Sequence, residues 1–151
     1  MAEVTSKLQR LLDGLRLLPD RGERIQLLIE IADRFRGVPA EVAARPYPAE
    51  RLVPHCESEA YFWARDLPGG RLRFHFAVEN PQGISAKAMA VILDETLSAE
   101  PLEEVARVPL DVPYEIFGRE LSMGKTMGLL GMVGLVKQAA AQRLRNVGGP
   151  T

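Results

Sequence analysis

The sequence predicts an α+β fold, a single domain with a small antiparallel β-sheet, and three observations predict it. Two amphipathic helical stretches open the chain, two period-two segments flank Leu67-Pro68-Gly69-Gly70, and helical patterning returns after Asn80. A length of 151 residues suits one domain with a continuous core rather than two. The domain is expected over 1–151, with its core from about 21 to 145 and residues 146–151 as a mobile tail.

Each element has its own signal. Val4, Leu8, Leu11, Leu12, Leu15 and Leu18 fall at spacings of three and four, painting one stripe on a first helix. Pro19-Asp20 breaks that helix, and Ile25, Leu28, Ile29, Ala32 and Phe35 restart the period until Gly37-Val38-Pro39 stops it. Pro39, Pro46, Pro48 and Pro54 then remove backbone donors and fix φ, so a structured loop is expected as far as Pro54. Ala60, Phe62 and Ala64 alternate with Glu59, Tyr61, Trp63 and Arg65, and beyond the Pro-Gly-Gly turn Leu72, Phe74, Phe76 and Val78 alternate with Arg71, Arg73 and His75. That is a central hairpin with one buried face. Its other face, with Tyr61, Trp63 and the arginines, reads as a docking surface or as a face partly covered by the terminal helix, and His75 there reads as a solvated histidine. Ile84 to Leu97 is apolar on several sides, as a buried helix crossing the sheet would be. Leu102-Glu103-Glu104-Val105 forms a short helical turn, Pro109 and Pro113 frame a loop before Tyr114 to Leu121, and a last helix runs from about Lys125 to Arg145.

Composition narrows the function. Apolar residues make up 46% and charged residues 26%, the usage of a soluble globular protein, and the net charge of −1 supplies no field for a phosphate backbone. No nucleic-acid partner is therefore expected. No apolar stretch with a small-residue cleavage site follows Met1, and the run from Met127 to Val136 is about half the roughly 20 residues that span a bilayer. No secretion signal and no membrane association are expected. One cysteine cannot form an internal disulfide, and with only two histidines no zinc framework exists. Reducing cytoplasm is the expected compartment, with no bound metal or cofactor.

The stretch richest in chemistry is Arg51-Leu52-Val53-Pro54-His55-Cys56-Glu57-Ser58. A proline-restricted turn sets Cys56 just before a strand, where a thiol can be offered at a loop tip or tucked into a shallow cavity. Sulfur nucleophiles act as thiolates, which neighbouring cations and N–H donors favour. Against this stands the plain alternative that Cys56 is a small buried hydrophobe, as free cysteines often are.

Val53-Pro54-x-Cys56-x-Ser58, with an aromatic at Tyr61 and a hairpin behind it, resembles the sulfur-acceptor motif of the SufE family, Val-x-Gly-Cys-x-Ser. Leu102-Glu103-Glu104-Val105 is similar to that family's Pro-Glu-Glu-Ile-like turn. Leu121-Ser122-x-x-Lys125-x-x-Gly128-Leu129 resembles its Leu-Ser-Pro-Ser-Arg-x-Asn-Gly-Leu segment, and the resemblance runs from about Arg21 to Leu144. It implies that Cys56 accepts persulfide sulfur from a cysteine desulfurase, stimulates it, and passes sulfur towards an iron–sulfur cluster scaffold. Pyridoxal phosphate would belong to that partner. Val53, Pro54, His55, Glu57 and Ser58 would shape the loop, and Lys125 would support it. Three positions depart from the pattern. His55 replaces Gly beside the sulfur and should deprive the turn of positive φ. Lys125 replaces Arg without its planar fork, and Met127 replaces a polar Asn.

Other readings compete. Gly118 to Thr126 almost spells a phosphate-binding loop but carries five residues between its glycines where four are required. Ser122 there reads as a helix N-cap, and Gly124, Gly128, Gly131 and Gly134 as a helix packing closely on the core. A thiol-dependent hydrolase or transferase using His55 or His75 is one functional alternative. A SufE-like binding module without sulfur transfer is another.

Overall fold

A computed structural model describes residues 5–148. The chain opens with α1 (Ser6–Arg16), whose Leu8, Leu12 and Leu15 are buried. Thr5 caps it by accepting from the Leu8 N–H at 3.2 Å, and its hydroxyl donates to the Thr96 carbonyl at 3.0 Å, pinning the cap to a later helix. α2 (Arg21–Ala32) starts at Asp20, whose carboxylate accepts from the Glu23 N–H. The proline-rich segment that follows contains only a 3₁₀ turn at Ala49–Arg51, as missing donors and fixed φ demand.

β1 (Ala60–Leu67) and β2 (Arg71–Val78) pair antiparallel from Ala60 opposite Val78 to Leu67 opposite Arg71. One face carries Phe62, Leu72, Phe74 and Phe76 into the core, with the Phe62 ring 6.0 Å from Phe74 and 5.2 Å from Phe76. Two strands alone are marginal in water, so the helices must supply the rest. α3 (Ile84–Leu97) lies against β2, buried nearly all round its middle from Ala88 to Leu93. Its end also serves the outer edge of β2. Ser98 Oγ accepts from the Phe74 N–H at 3.0 Å, and the Ala99 N–H donates to the Leu72 carbonyl at 2.7 Å. α4 (Leu102–Ala106) and α5 (Val112–Phe117) lead to α6 (Met123–Gly148), which packs on α3, α4 and the hairpin through Leu129, Met132, Val133 and Val136. Pro113 falls within the first turn of α5, where a missing N–H leaves no helical bond unmade, so it opens a helix rather than framing a loop. Helix α6 continues through 146–148, the first half of the segment expected to be mobile, and 149–151 lie outside the described residues.

The outer hairpin face differs from expectation. His75 is 6% exposed, not solvated, and Trp63 opposite it is 7% exposed. The cover comes from the proline-rich segment and not from α6: the Tyr47 ring lies 5.3 Å from Trp63 and 5.2 Å from Tyr61. Phe35, Gly37, Pro39 and Glu41 line a hollow with His75. Burial and the adjacent Arg65 and Arg73 push the His75 imidazole below its ordinary pKa, and its Nε2 has no hydrogen-bond partner.

Candidate functional site

Cys56 sits in a loop closed at both ends by backbone hydrogen bonds. The Val53 N–H donates to the Ala60 carbonyl at 2.8 Å, and Leu52 pairs with Tyr61 as an isolated bridge beside β1. At the far end the Asn80 N–H donates to the Ser58 carbonyl at 3.2 Å, and the Glu59 N–H to the Cys56 carbonyl at 3.2 Å. Between these ties His55 adopts φ +58° and Glu59 φ +53°. The expectation that replacing Gly with His removes positive φ is therefore wrong. His tolerates the left-handed region better than most side chains, and the closed stem over-determines the turn.

Each loop residue has a distinct place. Val53 is buried and anchors the loop in the core, while Pro54, His55 and Glu57 are exposed. Cys56 and Ser58 are half-buried. The thiol lies in an open recess of about 470 Å³ lined by Leu52, Val53, His55, Cys56, Glu57, Gly124 and Met127. Leu52 and Met127 are exposed apolar side chains there, so the mouth around the sulfur is greasy apart from Glu57 and His55. No hydrogen bond joins His55 to Cys56, and His75 stands on the covered face of the hairpin, so the two histidines and the thiol are not assembled into a hydrolytic dyad.

The floor of the site is helix α6. Ser122 caps it, its hydroxyl accepting from the Lys125 N–H at 3.2 Å, as the sequence indicates. A methyl group placed on Gly128 would lie 2.9 Å from Cys56 Cα and 3.1 Å from its Cβ and Sγ. On Gly131 it would meet the Pro54 carbonyl at 3.1 Å and Val53 Cγ1 at 3.2 Å, and on Gly124 it would collide with the Glu57 carboxylate. Gly124, Gly128 and Gly131 thus pack closely, but against the cysteine loop. The sequence displays the i, i+4 spacing of Gly124 and Gly128 without saying what lies opposite.

Lys125 lies in the same opening turn yet faces elsewhere. It lines a neighbouring apolar groove of about 540 Å³ with Ile25, Leu28, Ile84, Ile116 and Leu121, and does not line the thiol recess. Among the described residues its ammonium makes no ion pair. No group of three or more His, Cys, Asp and Glu side chains gathers as a metal site among the described residues, and no helix of theirs is long and apolar enough to cross a membrane.

A cysteine loop before a hairpin is the arrangement expected of the resemblance drawn from sequence, and the structure adds its seat on the terminal helix. The model of the SufE family, described as an Fe-S metabolism associated domain, matches residues 9–140. The chain belongs to the SufE family. A solved structure, the solution structure of a hypothetical protein from Thermus thermophilus, is similar at 25% identity and a TM-score of 0.69, covering 93% of this chain and 98% of that one. No curated protein matches the chain. Family membership ties this SufE-family chain to iron–sulfur metabolism.

Proposed function

We propose that Cys56 is a sulfur acceptor, loaded by a cysteine desulfurase and unloaded onto an iron–sulfur cluster scaffold, in the reducing cytoplasm. The observation that carries this reading is the placement of the chain's single thiol, half-sheltered at the mouth of an open recess within a matched SufE domain. Loading is an exchange. The Cys56 thiolate attacks the outer sulfur of the donor's persulfide, a new S–S bond forms to Cys56, the donor's own S–S bond breaks, and the donor cysteine leaves as its thiolate. Electrons balance without an external oxidant. Pyridoxal phosphate works in the desulfurase, and this chain supplies the acceptor and its setting.

The setting suits the task. Partial burial of the Cys56 flank limits oxidation of a loaded sulfur, whereas the open mouth leaves a path for an incoming persulfide. His55 adopts the left-handed conformation that a glycine would supply, so the departure from Gly does not deprive the loop of that turn, which supports transfer over a transfer-dead binding module. Intact mass after incubation with a cysteine desulfurase and free cysteine tests the proposal. The expected result is a gain of one sulfur atom, reversed by thiol reductant and absent from Cys56→Ser. A reactive thiol that gains no sulfur would reject it.

A further inference from the structure

Glycine is a poor helix former, yet α6 carries Gly124, Gly128, Gly131 and Gly134 within its first half. Three of the four face the cysteine loop in antiparallel order, with Glu57 over Gly124, Cys56 over Gly128, and Pro54 with Val53 over Gly131. Gly134 is different: its only neighbour within 4 Å would be Leu110 Cδ1 at 3.9 Å, an ordinary contact that any alanine could make. Helix propensity and close packing are thus traded along the stretch that meets the sulfur.

We propose that Gly128 is a positioning residue for sulfur transfer, its missing side chain setting the depth at which Cys56 is seated and thereby the direction in which the thiol is offered. This rests on the transfer reading of Cys56. The contact that matters is with backbone. A Cβ at position 128 would sit 2.9 Å from Cys56 Cα, which cannot rotate aside, whereas one at position 124 would meet the carboxylate end of a flexible Glu57 side chain. Helix α6 spans 26 residues and is braced by α3, α4 and the hairpin, so it is the stiffer partner. The loop is tied at Val53–Ala60 and Ser58–Asn80, which leaves residues 54–58 to absorb the displacement. An added methyl group pushes Cys56 outward. Exposure to a small reagent then rises, while alignment with a protein-bound persulfide, which must meet the thiolate in line, deteriorates.

That split is the signature a general loss of stability does not give. With the full chain, the rate of iodoacetamide alkylation and the rate of sulfur loading from a cysteine desulfurase are measured for wild type, Gly128→Ala and Gly134→Ala, each confirmed folded by thermal scan. Gly128→Ala is expected to alkylate about ten-fold faster with a pH profile of the same shape, because access limits a sheltered thiol. Its loading should slow by up to about a hundred-fold, the order that a misplacement near 1 Å can cost. Gly134→Ala should match wild type in both. If Gly128→Ala does not fold, Gly131→Ala reads the next turn, where neighbours at 3.1 and 3.2 Å need give only slightly, and the same split is expected at smaller amplitude. A folded Gly128→Ala, or Gly131→Ala in its place, that alkylates at the wild-type rate or slower overturns the proposal. Wild type that never loads would instead defeat the transfer reading, and the alkylation arm alone would then decide whether Gly128 seats the loop.

Discussion

The hairpin is flanked by two loops built in opposite ways. At its tip, Gly69 and Gly70 take φ +83° and +73° with nothing within 4 Å of where a Cβ would stand. Glycine is used there for its own backbone freedom. The cysteine loop takes its positive φ at His55 and Glu59, and the glycines it needs lie outside it, at Gly124, Gly128 and Gly131 of α6 and at Gly83. There glycine is used for the space it leaves. A turn that only reverses the chain can satisfy itself locally. One that must hold a thiol at a set depth accepts backbone strain and takes its shape from the surface opposite.

Gly83 offers the sharpest way to break this contrast. Its φ of −80° suits any residue, so only space demands glycine there: a methyl group would lie 2.9 Å from both Cβ and Oγ of Ser58 and 3.0 Å from Val78 Cγ1. Gly83→Ala should cost about 1–3 kcal/mol by overpacking and should change Cys56 alkylation through Ser58. Gly69→Ala, in open space, should cost about 1–2 kcal/mol of backbone strain and leave the thiol untouched. Urea melts with parallel alkylation rates separate the two. A tip variant that altered Cys56 reactivity would show that the loops are not independent.

His55→Gly reverses the logic by giving the cysteine loop its own glycine. Relief of the left-handed strain should stabilise the protein by about 1 kcal/mol in a urea melt, with sulfur loading retained. A loss of stability would mean that the His55 side chain contributes contacts worth more than the strain it imposes.

Most of the architecture was legible from sequence because its signals are local. The stripe of Leu8, Leu12 and Leu15 found α1, alternation around Leu67–Gly70 found the hairpin, and Ile84 to Leu97 matched α3 end to end. The candidate centre was nameable from sequence, since Cys56 is the only thiol and its flanking motif is short. Its floor was not. Gly128 lies 72 positions beyond Cys56, and nothing in the spacing of glycines says whether they face a core or a loop. Lys125 shows the same limit, since motif order placed it near the thiol while the pitch of α6 turns it into the adjoining groove. His75 failed for a related reason. Strand parity put it on the right face, but the cover is an irregular segment around Tyr47 that carries no periodicity to read.

His75 also supplies the smallest expected effect and a check that strain at the cysteine loop is local. Facing it are Arg65 and Arg73, which oppose its protonation, and Asp94 and Glu41, which favour it, with burial the largest influence and the net shift downward from 6.5. The unfolded chain therefore binds more protons than the folded one as pH falls through that ordinary value. The associated stability is complete above it and is lost progressively towards the depressed folded pKa. Wild type should lose Tm between about pH 7.5 and about pH 5.5, and His75→Phe, which keeps an aromatic ring there and removes the titratable group with its unpartnered Nε2, should lose less over that interval. Equal losses in both proteins would trace the slope to other groups. Combined with His55→Gly, the two changes should add to within about 0.5 kcal/mol, since His75 and His55 line different hollows and make no contact with a common side chain there. A larger coupling would mean that the outer face of the hairpin helps to hold the thiol in place.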